Sequence, residues 1–204
     1  MADLGDRLAQ AETSRVEAFS DGVFAIAITL LILEIHVPPA TDGALARSLL
    51  HLWPSFLAFL ASFMTIGVMW MNHHRLFTLI ETTDDVLMAV NLLLLLGITW
   101  IPFPTALLAE HLRETDGRVA GVVYAWSFFA IALVFNFMWR YAVRARLVAN
   151  DLNVASITRQ YALGPLMYAV LVVVAFVNDV AVLAVSALYA VYFALPPRIW
   201  QRRR

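Results

Sequence analysis

Residues 15–34, with the sequence RVEAFSDGVFAIAITLLILE, decide the fold of this chain. An arginine, a serine and an aspartate stand at the head of an apolar run from Val23 to Leu33, which ends at Glu34. Ionisable side chains at the edge of a hydrocarbon span are costly unless they face protein or water, and they mark ion pathways more often than ordinary packing. The stretch therefore predicts a membrane helix that carries the function of the protein.

The composition of the whole chain is that of a membrane protein. Hydrophobic residues make up 62% of the 204 residues, charged residues make up 14%, and the mean hydropathy is +0.77, outside the range of ordinary soluble domains. The net charge of −1 gives no indication of a nucleic-acid partner. Because there is no cysteine, disulfides, thiolate nucleophiles and thiolate metal sites are excluded. The polar N-terminus does not resemble a cleavable signal peptide.

Six stretches are apolar and long enough to cross a bilayer as helices, since a span needs about 20 such residues. We expect Pro102 and Pro104 to kink or end the third of them. Only Asn178 and Asp179 separate the last two, where a tight hairpin is favoured over one helix longer than a single crossing. No repeat or linker is evident, so residues 1–204 are predicted to form one all-α, six-helix transmembrane unit. The predicted spans lie near residues 17–36, 51–72, 86–108, 119–140, 161–178 and 180–197.

Arginine placement predicts the orientation of this unit, because positive residues are retained on the cytoplasmic side of a membrane. With six spans and both termini cytoplasmic, the inner segments hold eleven arginines and the outer loops hold three. The bias independently supports an even number of crossings. The inner set is Arg7, Arg15, Arg75, Arg140, Arg144, Arg146, Arg159, Arg198, Arg202, Arg203 and Arg204, and the outer set is Arg47, Arg113 and Arg118.

Helical geometry gives the first span two specialised faces. Asp21 points roughly 140° away from Ile26 at 100° per residue, and with Ser20 it forms a polar corner. This corner needs partners, because burying a carboxylate without them is very costly. The opposite side is an apolar stripe with one hydroxyl group and a cation at its head. That side carries, in chain order, Arg15, Phe19, Ile26, Thr29, Leu30 and Leu33.

Candidate partners for the polar corner lie on the next two spans. Indole, imidazole and amide groups there can donate hydrogen bonds and so fix the rotation of the first helix. Two alternatives stay open: the corner could cap a helix N-terminus, and the stripe could be ordinary helix packing. Adjacent His73 and His74 project about 100° apart with no carboxylate at ligand spacing, which favours interfacial histidines over a metal site. The candidate partners are Trp70, Asn72, His73, His74 and Asn91.

The segment RVEAFSDG resembles the R-x-x-x-F-S-D signature at the start of helix 1 in the prokaryotic relatives of the lysosomal potassium channel called transmembrane protein 175. The likeness extends to AIAITLLILEI after the motif, to a W-x-x-x-H pattern at Trp70 and His74, and to the six-helix length of the chain. It implies a homotetramer in a bacterial or archaeal inner membrane. In such a channel helix 1 of each subunit lines a central pore that conducts potassium in preference to sodium, without a carbonyl filter.

The same resemblance implies a role for each matching residue. It places a hydrophobic constriction at Ile26, further apolar rings at Leu30 and Leu33, and a pore-facing hydroxyl at Thr29. No catalytic residue, metal or cofactor is implied, and potassium is the permeant ion. The partners are the lipid bilayer and the other copies of the chain. The helix-packing network implied by the family falls on Arg15, Phe19, Ser20, Asp21, Trp70, His74 and Asn91.

The chain lacks the sequence marks of other function classes. It has no TVGYG-like carbonyl loop. Arg140, Arg144 and Arg146 cluster at the end of the fourth span instead of recurring through it, which argues against a voltage sensor. No G-x-S-x-G or H-E-x-x-H motif indicates an enzyme. The main alternative is a secondary transporter of a cation or small solute, although the expected inverted repeats with paired broken helices are absent.

Overall fold

Helices make up nearly all the regular structure of the protein. The computed structural model describes residues 2–36, 45–112 and 114–194, with side chains from residue 10 onward. The prediction of an all-α chain is confirmed over these ranges. The helices are α1 (Ala2–Leu30, continued by a 3-10 turn over Leu31–Glu34), α2 (Leu45–His51), α3 (Trp53–Phe77), α4 (Asp85–Trp100), α5 (Pro102–His111), α6 (Gly117–Arg144), α7 (Val154–Ala175) and α8 (Asp179–Ala194).

Five stretches of helix are long and apolar enough to span a membrane, so the chain is a multi-pass membrane protein. The sixth predicted span corresponds to α8, which is apolar but has only 16 described residues. Residues 195–197 of that predicted span lie outside the described residues. Six crossings therefore stay a prediction. The five stretches are Gln10–Glu34, Trp53–Phe77, Asp85–His111, Gly117–Arg144 and Val154–Ala175.

Prolines break the third span, as predicted. Helix α4 ends at Trp100 and α5 begins at Pro102, because proline has no N–H to continue the hydrogen-bond ladder and its ring clashes with the preceding turn. The carbonyl oxygen of Ile98 instead accepts a tighter bond from the N–H of Ile101, at 3.2 Å. The predicted hairpin near residue 178 is also confirmed, since α7 and α8 are separate helices.

Helix α7 begins seven residues before residue 161, near which the fifth membrane span was predicted to start. Helix α7 begins at Val154, where the side chain of Asn153 accepts a hydrogen bond from the N–H of Ser156 at 3.2 Å. An asparagine in this position satisfies one of the free donors of the first turn. Residues 154–160, which include Thr158, Arg159 and Gln160, therefore fold as helix, although their hydropathy did not indicate a membrane span.

The α3–α4 and α6–α7 loops are joined at one end of the bundle. Ile80 and Val148 form an isolated antiparallel bridge, and the N–H of Glu81 donates to the carbonyl oxygen of Leu147 at 2.8 Å. The hydroxyl of Tyr141 donates to Asp84 at 2.6 Å. These contacts hold α3, α4 and α6 together at the end that we call the arginine-rich end. Its described arginines are Arg15, Arg75, Arg140, Arg144, Arg146 and Arg159.

Helix α6 is central to the bundle and α1 lies at its edge. Helix α6 packs against α4, α5, α7 and α8, and its Tyr124, Phe128 and Trp139 are fully buried. Helix α1 packs chiefly against α3 and α4. One side of α1 is consequently left without a partner inside the protomer.

Replacing Gly117 with alanine is expected to lower the free energy of unfolding by about 1–3 kcal/mol, as overpacking does elsewhere. A Cβ at this position would lie 2.7 Å from the carbonyl oxygen of His111 and would clash with the carboxylate of Asp179. The matched control is Gly121→Ala on the same helix, where the nearest atoms would be 3.7 Å away. That variant is expected to be neutral or slightly stabilising, since alanine is the better helix former. Equal unfolding midpoints of the two variants in one detergent would contradict this account of the α5–α6 corner.

Candidate functional site

Helix α1 buries one face only. Ser20, Phe24, Ala27 and Leu31 each expose 1% or less of their surface, and their spacing of four, three and four residues keeps them on one side of the helix. This face meets α3 and α4. The rotation of α1 about its own axis is thereby set within the protomer.

The opposite face of α1 is exposed along its length. Ile26 exposes 59% of its surface, Leu30 exposes 40% and Leu33 exposes 67%. Thr29 is exposed beside them, and its hydroxyl donates to the carbonyl oxygen of Ile26 at 2.8 Å. The same side carries Arg15 and Phe19 nearer the start of the helix, both exposed. We call these six residues the exposed stripe.

A chain of buried polar side chains links α1, α4 and α3. Asn91 donates from Nδ2 to the hydroxyl of Ser20 at 2.9 Å, and its Oδ1 accepts from Nε2 of His73 at 2.9 Å. All three side chains are 2% exposed or less. The ring of His73 packs between Phe24 and Phe77, with centroid distances of 5.3 and 4.6 Å. This buried polar chain joins the three helices inside the bundle.

A second pair of polar contacts joins α1 to α3 closer to the surface. The indole N–H of Trp70 donates to Asp21 at 2.8 Å, and Nδ1 of His74 contacts Glu17 at 2.7 Å. The two aromatic rings are stacked, with centroids 6.3 Å apart. Glu17 and Asp21 are one turn apart on α1, just as Trp70 and His74 are on α3, so two turns of each helix are in register.

The predicted network residues thus fall into separate groups. The structure brings Trp70 to Asp21 and Asn91 to Ser20, whereas His74 contacts Glu17 and not the polar corner. The described protomer shows no contact that draws Arg15 or Phe19 into either group, because both lie on the exposed stripe. The capping alternative for the polar corner is wrong, since α1 extends back to Ala2.

The sequence analysis missed Glu17 and predicted the wrong environment for His73. His73 is fully buried and is not the interfacial histidine that was predicted, while His74 is 54% exposed. Glu17 was not considered. Glu17 lies four residues before Asp21, and His74 lies four residues after Trp70. This matched spacing was the signal in the sequence that Glu17 meets His74 when Asp21 meets Trp70. Among the described residues no group of three metal-ligating side chains is arranged to hold an ion.

Trp70→Phe is expected to lower the free energy of unfolding by about 0.6 kcal/mol, the average found by double-mutant cycles for interhelical hydrogen bonds in a membrane protein. The substitution removes the indole N–H that Asp21 accepts and keeps an aromatic ring against His74. Trp126→Phe is the control, because Trp126 is exposed and is recorded only in a ring contact with Phe129. Thermal unfolding in detergent measures both. A loss of stability equal to that of the control would show that the bond to Asp21 contributes nothing.

Comparison with known proteins agrees with the motif at the head of α1. A family model described as the endosomal/lysosomal potassium channel TMEM175 matches residues 15–102. A potassium channel of Chamaesiphon minutus is 52% identical over 193 residues, which cover 91% of this chain and 95% of that protein. A potassium channel of Streptomyces collinus is 46% identical over 188 residues, covering 89% of this chain and 91% of that protein.

A solved structure is similar over the same length. The crystal structure of a lysosomal potassium-selective channel TMEM175 homolog from Chamaesiphon minutus superposes with a TM-score of 0.84 at 51% identity. The match covers 91% of this chain and 98% of that one. The resemblance found in R-x-x-x-F-S-D is confirmed, and this chain belongs to the TMEM175 family.

Proposed function

We propose that the protein is a potassium-selective, leak-type channel in which four copies surround a central pore lined by α1. Each chain of 204 residues supplies one subunit. The relatives that cover nearly the whole chain are named potassium channels. The family is one of ion channels and not of enzymes.

The exposed stripe of α1 is the observation that carries the proposal. Apolar exposure alone would suit a lipid-facing helix equally well. Here, however, the stripe also carries Arg15 and Thr29, and polar side chains in membrane helices generally face protein or a water-filled path. The buried polar chain and the two surface contacts to α3 lie on other sides of α1, where they hold the stripe in a fixed direction.

A ring of aliphatic side chains gates such a pore by dewetting. In the tetramer four Ile26 side chains form the narrowest ring, with Leu30 and Leu33 forming further rings along the helix. A narrow apolar pore expels water, so an ion crosses only when the ring widens. Potassium loses its hydration shell at lower cost than sodium, which gives selectivity of the right sign. Four Thr29 hydroxyls replace part of that shell beside the constriction.

The arginine-rich end faces the cytoplasm in this proposal, in accordance with the retention of positive residues on that side. Both chain termini then lie on the cytoplasmic side of a bacterial or archaeal inner membrane, and α8 completes the sixth crossing. Glycosylation or cysteine-labelling reporters at the two ends of α6 test the orientation. Labelling of the arginine-rich end from outside intact cells would overturn it.

Reconstitution into liposomes with a potassium gradient tests the proposed activity. Potassium flux should exceed sodium flux, and both should exceed the leak of protein-free liposomes. Native mass spectrometry of the same sample should give the mass of four chains. Absence of cation flux from inserted protein would overturn the channel, and flux that requires exchange for a second solute would indicate the secondary transporter instead. Flux from a monomer would overturn the central pore.

A further inference from the structure

A cavity separate from the exposed stripe lies inside the bundle. It is partly enclosed, has a volume of about 70 Å³, and is lined by side chains of α1, α3, α4, α6, α7 and α8, of which α3 and α7 barely touch each other. Phe24 reaches it from the buried face of α1, so α1 separates it from the exposed stripe. Since one water needs on the order of 10–15 Å³ of such space, the cavity has room for roughly five water-sized groups.

The walls of the cavity change from apolar to polar along its length. Most of the lining is hydrocarbon or aromatic, including Leu94, Ile98 and Ile131 from α4 and α6. Toward the arginine-rich end the lining becomes polar, with Asn72 on α3 and Gln160 on α7. The amide of Gln160 has no hydrogen-bond partner recorded among the described residues. An apolar interior with a polar end suits an amphiphile and not a free ion.

A guanidinium group stands beside the polar end. Arg75 lies one turn beyond Asn72 on α3 and donates to its Oδ1 at 3.3 Å, and Asn72 lines the cavity. Within the described part of the chain Arg75 has no carboxylate partner. An unpaired cation between transmembrane helices at headgroup level attracts anionic lipid, and long arginine side chains extend toward the interface.

We propose that this cavity binds an anionic phospholipid from the leaflet at the arginine-rich end. One acyl chain enters between α3 and α7, and the phosphate contacts Arg75. The polar groups of Asn72 and Gln160 lie where the glycerol and ester oxygens would sit. The occupant is anionic because Arg75 is a cation without a carboxylate partner, and it is a lipid because the apolar interior of the cavity is lined by membrane-spanning helices.

Separate substitutions, each with a control, test the acyl-chain and headgroup contributions to lipid binding. The first set fills the cavity. Gly164→Leu fills the cavity, since Gly164 lines it and a Cβ there meets no atom within 4 Å. Ala132→Leu fills it from α6 if the first variant folds poorly beside Pro165. Gly67→Leu is the matched control, because a Cβ at Gly67 also meets no atom within 4 Å but Gly67 does not line the cavity.

The headgroup pair is Arg75→Gln with Arg144→Gln as its control. Both substitutions remove one positive charge from the arginine-rich end, and Arg144 is exposed there without lining the cavity. A general attraction of lipid to that end would therefore be weakened equally by the two variants. A specific site would be weakened by the first alone.

The probes are phosphatidylglycerol and phosphatidylcholine with identical acyl chains. In each lipid one of the two acyl chains carries a photoreactive diazirine. In native mass spectrometry we expect the protein to retain phosphatidylglycerol in preference to phosphatidylcholine. The cavity-filling variants should lower the occupancy of phosphatidylglycerol by about tenfold. Arg75→Gln should abolish the preference between the headgroups. The diazirine should label cavity-lining residues on α3, α6 or α7.

Three results would overturn the lipid site. These are equal retention of the two lipids by the unmodified protein, equal effects of the variants and their controls, and labelling confined to the outer surface of the bundle. The last result would mean adventitious annular lipid only. All readouts are of binding, so they stand whether or not the protein conducts potassium.

Discussion

Replacing Ile26 with asparagine is expected to raise sodium flux relative to potassium flux by about tenfold, which corresponds to about 1.4 kcal/mol between the two permeation barriers. In the proposed pore, four amide groups at the ring of Ile26 would supply oxygens where the unmodified protein has hydrocarbon. They would hold water and partly replace the ion's shell, so the dewetted barrier that penalises sodium more than potassium is lost. Flux of both ions from the same liposomes gives the ratio directly.

The control for this variant is Ile32→Asn. Ile32 is also exposed, at 49%, and lies in the 3-10 turn that continues α1, outside the exposed stripe. The same amide placed there should leave the flux ratio unchanged. If both variants alter selectivity equally, or if neither does, the constriction is not at Ile26, whatever the overall conductance of the protein.

Replacing Asn91 with leucine is expected to lower the free energy of unfolding by about 2 kcal/mol, the cost of leaving buried polar groups without partners. The side chain is of similar length, so little packing changes. What is lost is the donor to Ser20 and the acceptor for Nε2 of His73. Since Nδ1 of His73 already has no partner, the ring would then be buried with neither nitrogen bonded. The ring would regain a hydrogen-bond partner only if a water entered the space or if α4 moved away from α1.

Asn136→Leu is the matched control for this loss. Asn136 is also buried on a membrane helix, but its Nδ2 is already without a partner and its Oδ1 accepts from Arg140, which is exposed. Water can solvate Arg140 once the bond is removed, so this variant is expected to change stability by less than about 0.5 kcal/mol. Thermal unfolding in one detergent compares them. Equal losses would show that the buried polar chain is no more important than an ordinary surface bond.

Asn91→Leu is also expected to affect conduction. This can be compared with Asn136→Leu when both variants keep the secondary structure of the unmodified protein. Without the bond from α4, the polar contacts that help to fix the rotation of α1 are reduced to those of Trp70 and His74. The exposed stripe would then sample more orientations. We expect flux through Asn91→Leu to vary more between preparations, whereas Asn136→Leu should conduct as the unmodified protein does.

Local patterns in the chain were sufficient for several features. A hydropathy scale and a 3.6-residue period separate membrane helix from loop and place Ile26 and Ser20 on different faces of α1, because both properties depend only on neighbouring residues. The break at Pro102 follows from a missing N–H within one residue. The motif from Arg15 to Asp21 identified the family for the same reason, since it is contiguous along one helix.

Other features depended on how distant helices pack. Whether His73 or His74 is buried is decided by the translation and rotation of α3 against α1 and α4, and a shift of α3 by a single residue would exchange the two. Nothing in the residues 70–75 specifies that shift. The start of α7 depended on one cap at Asn153, which hydropathy does not detect. The cavity exists because α3 and α7 are held apart by the helices on either side of them.

The sequence by itself therefore determined the membrane class, the helical composition, the proline break and the family of this protein, because each rests on interactions within a few residues. The tertiary structure alone decided which imidazole meets Asn91, which carboxylate meets His74 and where a cavity remains. Those outcomes depend on the relative placement of whole helices, which is the sum of many weak contacts between residues far apart in the chain.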